Sequence, residues 1–108
     1  MLKNTNRSLG IKHYRAGQKY DTPLFKLTIY KGEEKDRFWF IVPKKVDKRA
    51  VVRNKTRRVY KKIINEILPD FKQKQSMIFF IKSKADFKQT EKIQKLMTQV
   101  FKKENLLK

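Results

Sequence analysis

The sequence predicts an α+β fold whose strands form a mixed sheet, with the element order α-β-β-α-β-α. Three observations carry this. Two runs of strand character stand in the first half, two stripes of helical period stand in the second, and a short apolar run separates the stripes. At 108 residues the chain fits a single domain over 1–108, since domains commonly span about 100–150 residues.

Each element has its own signal. Residues 11–16, between Gly10 and Gly17, are long enough for a turn or two of helix. In 24–30, Phe25, Leu27 and Ile29 alternate with Lys26, Thr28 and Tyr30, as in a half-buried strand. Residues 31–36 are polar and read as a turn. Residues 37–42 are aromatic and β-branched, a second strand expected to be the hairpin partner of the first and to end at Pro43.

Over 50–68 the period changes. Val52, Thr56, Val59, Tyr60, Ile63, Ile64 and Ile67 fall at three- and four-residue spacings, one apolar helical face that Pro69 and Asp70 stop. Residues 76–81 form the short apolar run, expected to be a strand buried on both faces or nearly so and reached by a βαβ crossover. Asp86 with Gln89 makes a reciprocal capping pair for a final helix running to about residue 105.

Composition narrows the function. Twenty-nine Lys and Arg against 10 Asp and Glu give a formal charge of +19, which opposes compaction unless a polyanion neutralises it. With 39% hydrophobic residues, among them 8 Phe, 4 Tyr and 1 Trp, the chain still holds a core and is not a basic tail. No Cys is present, which fits a reducing compartment. The N-terminus has no apolar run like a signal peptide, and no stretch reaches the roughly 18–20 apolar residues of a membrane span. The expectation is a soluble, cytoplasmic protein with no membrane partner.

The charge is also patterned. On the helix over 50–68, Arg53, Arg57 and Lys61 are spaced by four and Asn54 and Arg58 form the adjoining row, away from the apolar stripe. Like charges at that spacing repel by about 0.2–0.5 kcal/mol per pair, so repetition without acids favours a polyanion site over a merely solvated face. Arg grips phosphate oxygens bidentately, whereas Lys55 and Lys61 act as point charges.

At these positions the chain becomes specific. Lys44-Lys45-Val46 followed by Ala50-Val51-Val52-Arg53-Asn54-Lys55-Thr56-Arg57-Arg58 resembles the Lys-Lys-Val, then Ala-Val-x-Arg-Asn-Arg-x-Lys-Arg block of the bacterial ribonuclease P protein family. The similarity extends over about 14–101. The resemblance implies an α/β two-layer sandwich with a left-handed βαβ crossover, and a protein subunit that assists a catalytic RNA in removing the 5′ leader of precursor tRNA.

Carried over by position, Lys44, Lys45, Arg53, Asn54, Lys55, Arg57, Arg58 and Lys61 would bind RNA. Tyr14, Lys26, Thr28 and Trp39 would line the family's cleft for the single-stranded leader. Gly10 stands where a second cleft aromatic is expected, and Trp39 stands where the family has Gly, so Trp39 either replaces that stacking platform or packs against Ile41 and the first helix. Phe25, Leu27, Phe38, Phe40, Phe79 and Phe80 are expected in the core. Asp47-Lys48-Arg49 carries one residue more than the family's loop.

The resemblance also implies partners and a cofactor: the catalytic ribonuclease P RNA, precursor tRNA, and Mg²⁺ held mainly by the RNA, with no further protein required. The residues themselves suggest no catalytic or metal site in the polypeptide. His13 is the single histidine, the ten carboxylates are scattered, and three glycines form no phosphate loop. A generic RNA-binding ribosomal or assembly protein accounts for the charge but not for the Arg53-Asn54 block. A stand-alone ribonuclease is disfavoured by one histidine, and DNA recognition by the absence of helix-turn-helix spacing.

Overall fold

The structure, a computed structural model, describes residues 17–31 and 35–108. The expected first helix and Tyr14 lie outside the described residues. The elements are β1 (Gln18–Asp21), β2 (Phe25–Lys31), β3 (Arg37–Ile41), α1 (Ala50–Ile67), β4 (Gln75–Ile81) and α2 (Thr90–Lys103), with 3₁₀ turns at Leu68–Asp70 and Phe87–Gln89. The four strands form one sheet in the order β1-β2-β4-β3. β2 runs antiparallel to β1 and β4, and β3 runs parallel to β4, so the sheet is mixed.

One face of the sheet makes the core. Phe25, Leu27 and Ile29 of β2 and Met77, Phe79 and Ile81 of β4 meet Val59, Tyr60, Ile63, Ile64 and Ile67 of α1 and Ile93, Met97, Val100 and Phe101 of α2. Rings do much of the filling: Phe40 stacks on Phe79 at 5.3 Å, and Phe25 meets Tyr60 edge-on at 5.8 Å. Burial pushes the Tyr60 phenol well above its ordinary range, so it stays neutral. Thr56, fully buried in the expected apolar stripe, satisfies its hydroxyl by donating to the Val52 carbonyl (3.0 Å) and accepting the Ala85 N–H (3.1 Å).

Helix ends follow their sequence signals. The Asp86 carboxylate accepts the Lys88 N–H and the Gln89 side-chain oxygen accepts the Asp86 N–H, both at 2.9 Å, which is the expected capping box. α2 stops two residues before the expected end. Asn105 takes a left-handed φ of 57°, and the N–H groups of Leu106 and Asn105 close on the carbonyls of Phe101 (2.9 Å) and Lys102 (3.0 Å). Leu106 is buried beneath this turn.

Three expectations are corrected. β2 and β3 are not a hairpin pair, because β4 returns from α1 and inserts between them, pairing with both. A strand flanked on each side satisfies all its backbone groups, and the apolar run 76–81 is best suited to that place. Next, β4 is buried on both faces only in part, since Ser76 is buried and Ile78 half-buried on the face where Phe80 is exposed. Its odd-numbered residues are covered by the helices, whereas Phe80 is 47% exposed on the face that no described helix covers. Phe80 is therefore not a core residue. Finally, β1 was not anticipated, since Gln-Lys-Tyr-Asp carries only Tyr20 toward the core and is held by its ladder to β2. Gly17 leads into it where a Cβ would come within 2.8 Å of the Ile29 carbonyl, so no side chain fits there.

Candidate nucleic-acid interface

Two surfaces outside the core carry most of the residues expected to bind RNA. The first is the flank of α1 that adjoins edge strand β3, together with the Pro43–Val46 turn, which is closed by a 3.0 Å bond from the Val46 N–H to the Pro43 carbonyl. Lys44, Lys45, Asn54, Lys55, Arg58 and Lys61 are exposed, while Arg53 and Arg57 are half-buried. The residues of the ridge thus divide into two groups.

Arg53 and Arg57 anchor. At 100° per residue they border the apolar stripe, and their guanidinium groups reach back to the protein. Arg53 donates from Nη1 to the carbonyls of Asp47 (3.0 Å) and Lys48 (2.8 Å), holding the loop that enters the helix. Arg57 donates from Nε to the Phe40 carbonyl on β3 (3.2 Å) and from Nη1 to Asn54 Oδ1 (2.5 Å). These bonds fix the planes of the forks and leave further N–H groups for a ligand.

Arg58, Lys61, Lys44, Lys45 and Lys55 make no hydrogen bond or ion pair among the described residues, and Lys55 lies round on the opposite flank of α1 from Arg53. The one acidic side chain of α1, Glu66, is engaged by Lys62 at 2.8 Å. Among the described residues the cationic ridge is left without a counter-charge.

The loop before α1 is held by Asp47. Its carboxylate accepts the Arg49 N–H (2.9 Å) and both Nε (3.0 Å) and Nη2 (2.9 Å) of the same guanidinium, with Lys84 at 3.7 Å. The Arg49 bonds, side chain first and backbone second, hold the Asp47 carboxyl far below the usual carboxylate range, with lesser help from the charges of Arg49 and Lys84.

The second surface is the face of the sheet that no described helix covers, where Ser76 is buried and Trp39 and Ile78 are half-buried. The register sets three cross-strand rows there: Tyr30, Ser76 and Arg37; Thr28, Ile78 and Trp39; Lys26, Phe80 and Ile41. Thr28 and Trp39 flank Ile78 in one row, and Lys26 stands in the next. Strand spacing puts Thr28 and Trp39 about 10 Å apart, the span of one or two nucleotides. Trp39 is half-buried and belongs to no ring pair among the described residues, in contrast to Phe38 and Phe40, which pack on the core side. Phe80 is the aromatic that sequence reasoning missed here. Strand alternation from Phe79 marks it, since two successive residues cannot both face the helices.

Among the described residues no group of three His, Cys, Asp or Glu side chains converges as a metal site. No described helix is long and apolar enough to cross a membrane.

A family model described as Ribonuclease P matches residues 11–105. No curated protein sequence matches the chain. Among solved structures, the RNase P protein of Staphylococcus aureus is 22% identical with a TM-score of 0.62, covering 85% of this chain and 84% of that one. A mutant of the S. aureus protein with defective mRNA degradation activity gives 19% identity, a TM-score of 0.65 and coverage of 97% and 86%. The RNase P protein from Thermotoga maritima gives 14% identity, a TM-score of 0.66 and coverage of 95% and 94%.

The Asp47 clamp makes a prediction with a definite sign. A carboxyl whose folded pKa is depressed contributes stabilisation above its unfolded pKa of about 4 and loses it only as pH falls toward the lower folded value. Protection of the Arg49 amide, taken relative to its intrinsic exchange rate at each pH, should therefore persist down to about pH 4, and Asp47→Asn should reduce it at neutral pH. Protection in the wild type that is already lost on lowering the pH to 5 would contradict the clamp.

Proposed function

The chain belongs to the ribonuclease P protein family, and from that premise we propose how its two exposed surfaces divide the work. It is the protein subunit of a ribonucleoprotein endoribonuclease that matures the 5′ end of tRNA, and the polypeptide is not itself the catalyst. The ridge of α1 with Lys44 and Lys45 seats on the catalytic RNA. The second surface, on the sheet, carries the single-stranded leader of precursor tRNA.

The observation that carries this reading is the ridge without counter-charge: exposed Arg58, Lys61, Lys44 and Lys45 beside two arginines whose forks are already oriented by Arg53–loop and Arg57–Phe40 bonds. Such forks meet phosphate oxygens with little further loss of freedom, and each neutralised phosphate releases counterions. Trp39, Phe80 and Ile78 offer the leader a stacking platform, with Lys26 for its backbone and Thr28 for a sugar or base edge.

Mg²⁺ belongs to the RNA in this reading, because the scattered carboxylates of the described residues do not form a cage for it. When bound there it supplies Lewis acidity and an activated water. The protein's part is to reduce repulsion between phosphates and to position the leader. We place this assembly in the cytoplasm.

Two outcomes are expected. Arg58→Ala should weaken assembly with a bacterial ribonuclease P RNA and lower the slope of log K against log[salt] by about 0.7–0.9, leaving the melting temperature unchanged; an unchanged slope would remove that phosphate contact. Trp39→Ala should weaken binding of precursor tRNA to the holoenzyme by about 1–3 kcal/mol while sparing mature tRNA, and an equal loss for both would reject the stacking role.

A further inference from the structure

Besides Phe80, the large apolar side chains exposed among the described residues are Val51 and Phe87, and Phe87 is 48% exposed. It stands in the connection from β4 to α2, on the opposite side of α1 from the Arg57–β3 contact. Thr56 ties α1 to this connection through the Ala85 N–H, whereas Arg57 ties the other flank to β3. The connection is therefore separate both from the ridge and from the sheet face that carries Trp39.

The local backbone is rigid. The Asp86–Gln89 capping box fixes the turn, the Thr90 hydroxyl donates to the Phe87 carbonyl at 2.9 Å, and the Lys82 N–H bonds the Leu24 carbonyl at 2.9 Å. A phenylalanine held this firmly yet half in water forgoes burial that ordinarily stabilises a fold. Exposed Lys84 and Lys88 bracket it in sequence, and Asp86 and Gln89, on either side of it, line a shallow pocket of about 220 Å³ together with Lys55 and Lys84, a pocket that Phe87 itself does not line. The Asp86 carboxylate is spent on the cap, and Lys84 approaches an acid only at 3.7 Å from Asp47.

We infer that Phe87, with Lys84, Lys88 and Lys55, is a second RNA-contact site that stacks one unpaired base and takes its flanking phosphates. An aromatic ring amid lysines accepts any base by its π-face while the ammonium groups follow the backbone. Lysines alone, with no arginine fork except the Asp47-bound Arg49, suit a backbone of variable geometry. The protein would then touch RNA on both flanks of α1. This rests on RNA being the partner, as proposed above.

The test uses the full chain and a bacterial ribonuclease P RNA, with affinity measured across a salt series and melting temperatures recorded. Phe87→Ala and Phe87→Leu should each weaken binding about fivefold or more at unchanged slope, while Phe87→Tyr retains it. Lys84→Gln with Lys88→Gln should lower the slope by about 1.4–1.8, and this pair decides the matter if a Phe87 variant melts early. Affinities within twofold and an unchanged slope, with Arg58→Ala still weakening binding, would overturn this site and leave the ridge standing. If Arg58→Ala is also without effect, both readings fall.

Discussion

The seating of α1 on the sheet is the interaction on which the rest depends. Val59, Ile63, Ile64 and Ile67 are buried on that side, and at about 1.5–3 kcal/mol for each aliphatic side chain this contact contributes roughly 6–12 kcal/mol before ordering costs. Repulsion along the cationic flank amounts to about 0.2–0.5 kcal/mol per neighbouring pair. Burial therefore decides where the helix lies, and the charges are carried along. Thr56 adds direction to the fit, since its hydroxyl must meet Ala85, and so α1 cannot rotate without stranding a buried group.

That same seating orients the site. Because the stripe is fixed, Arg53 and Arg57 fall at its border and find backbone carbonyls, while Arg58 and Lys61 are turned outward. One helix thus supplies a lid for the core, a pair of anchored forks and a line of free cations. Charge of +19 on 108 residues opposes compaction, and the RNA partner proposed above would supply the opposing charge.

Periodic elements were legible in the sequence and pairings were not. The stripe from Thr56 to Ile67, the stop at Pro69 and the Asp86–Gln89 cap all depend on neighbours within a few residues. Strand order depends on a choice between distant partners, so the insertion of β4 between β2 and β3 had no local sign. β1 was illegible for a related reason, since a four-residue polar edge strand is held by backbone bonds that leave no hydrophobic pattern. In the candidate site, residue identities came from the motif, but their division into anchors and free cations needed the angular position of each beside the stripe. Phe80 was concealed by its apolar neighbours, although parity with Phe79 places it outward.

The most direct test of the account is the rate of leader removal from a precursor tRNA by a bacterial ribonuclease P RNA at limiting Mg²⁺, with and without this protein. The account predicts a marked acceleration that requires the RNA. Equal rates with and without the protein, or cleavage by the protein when the RNA is left out, would contradict it.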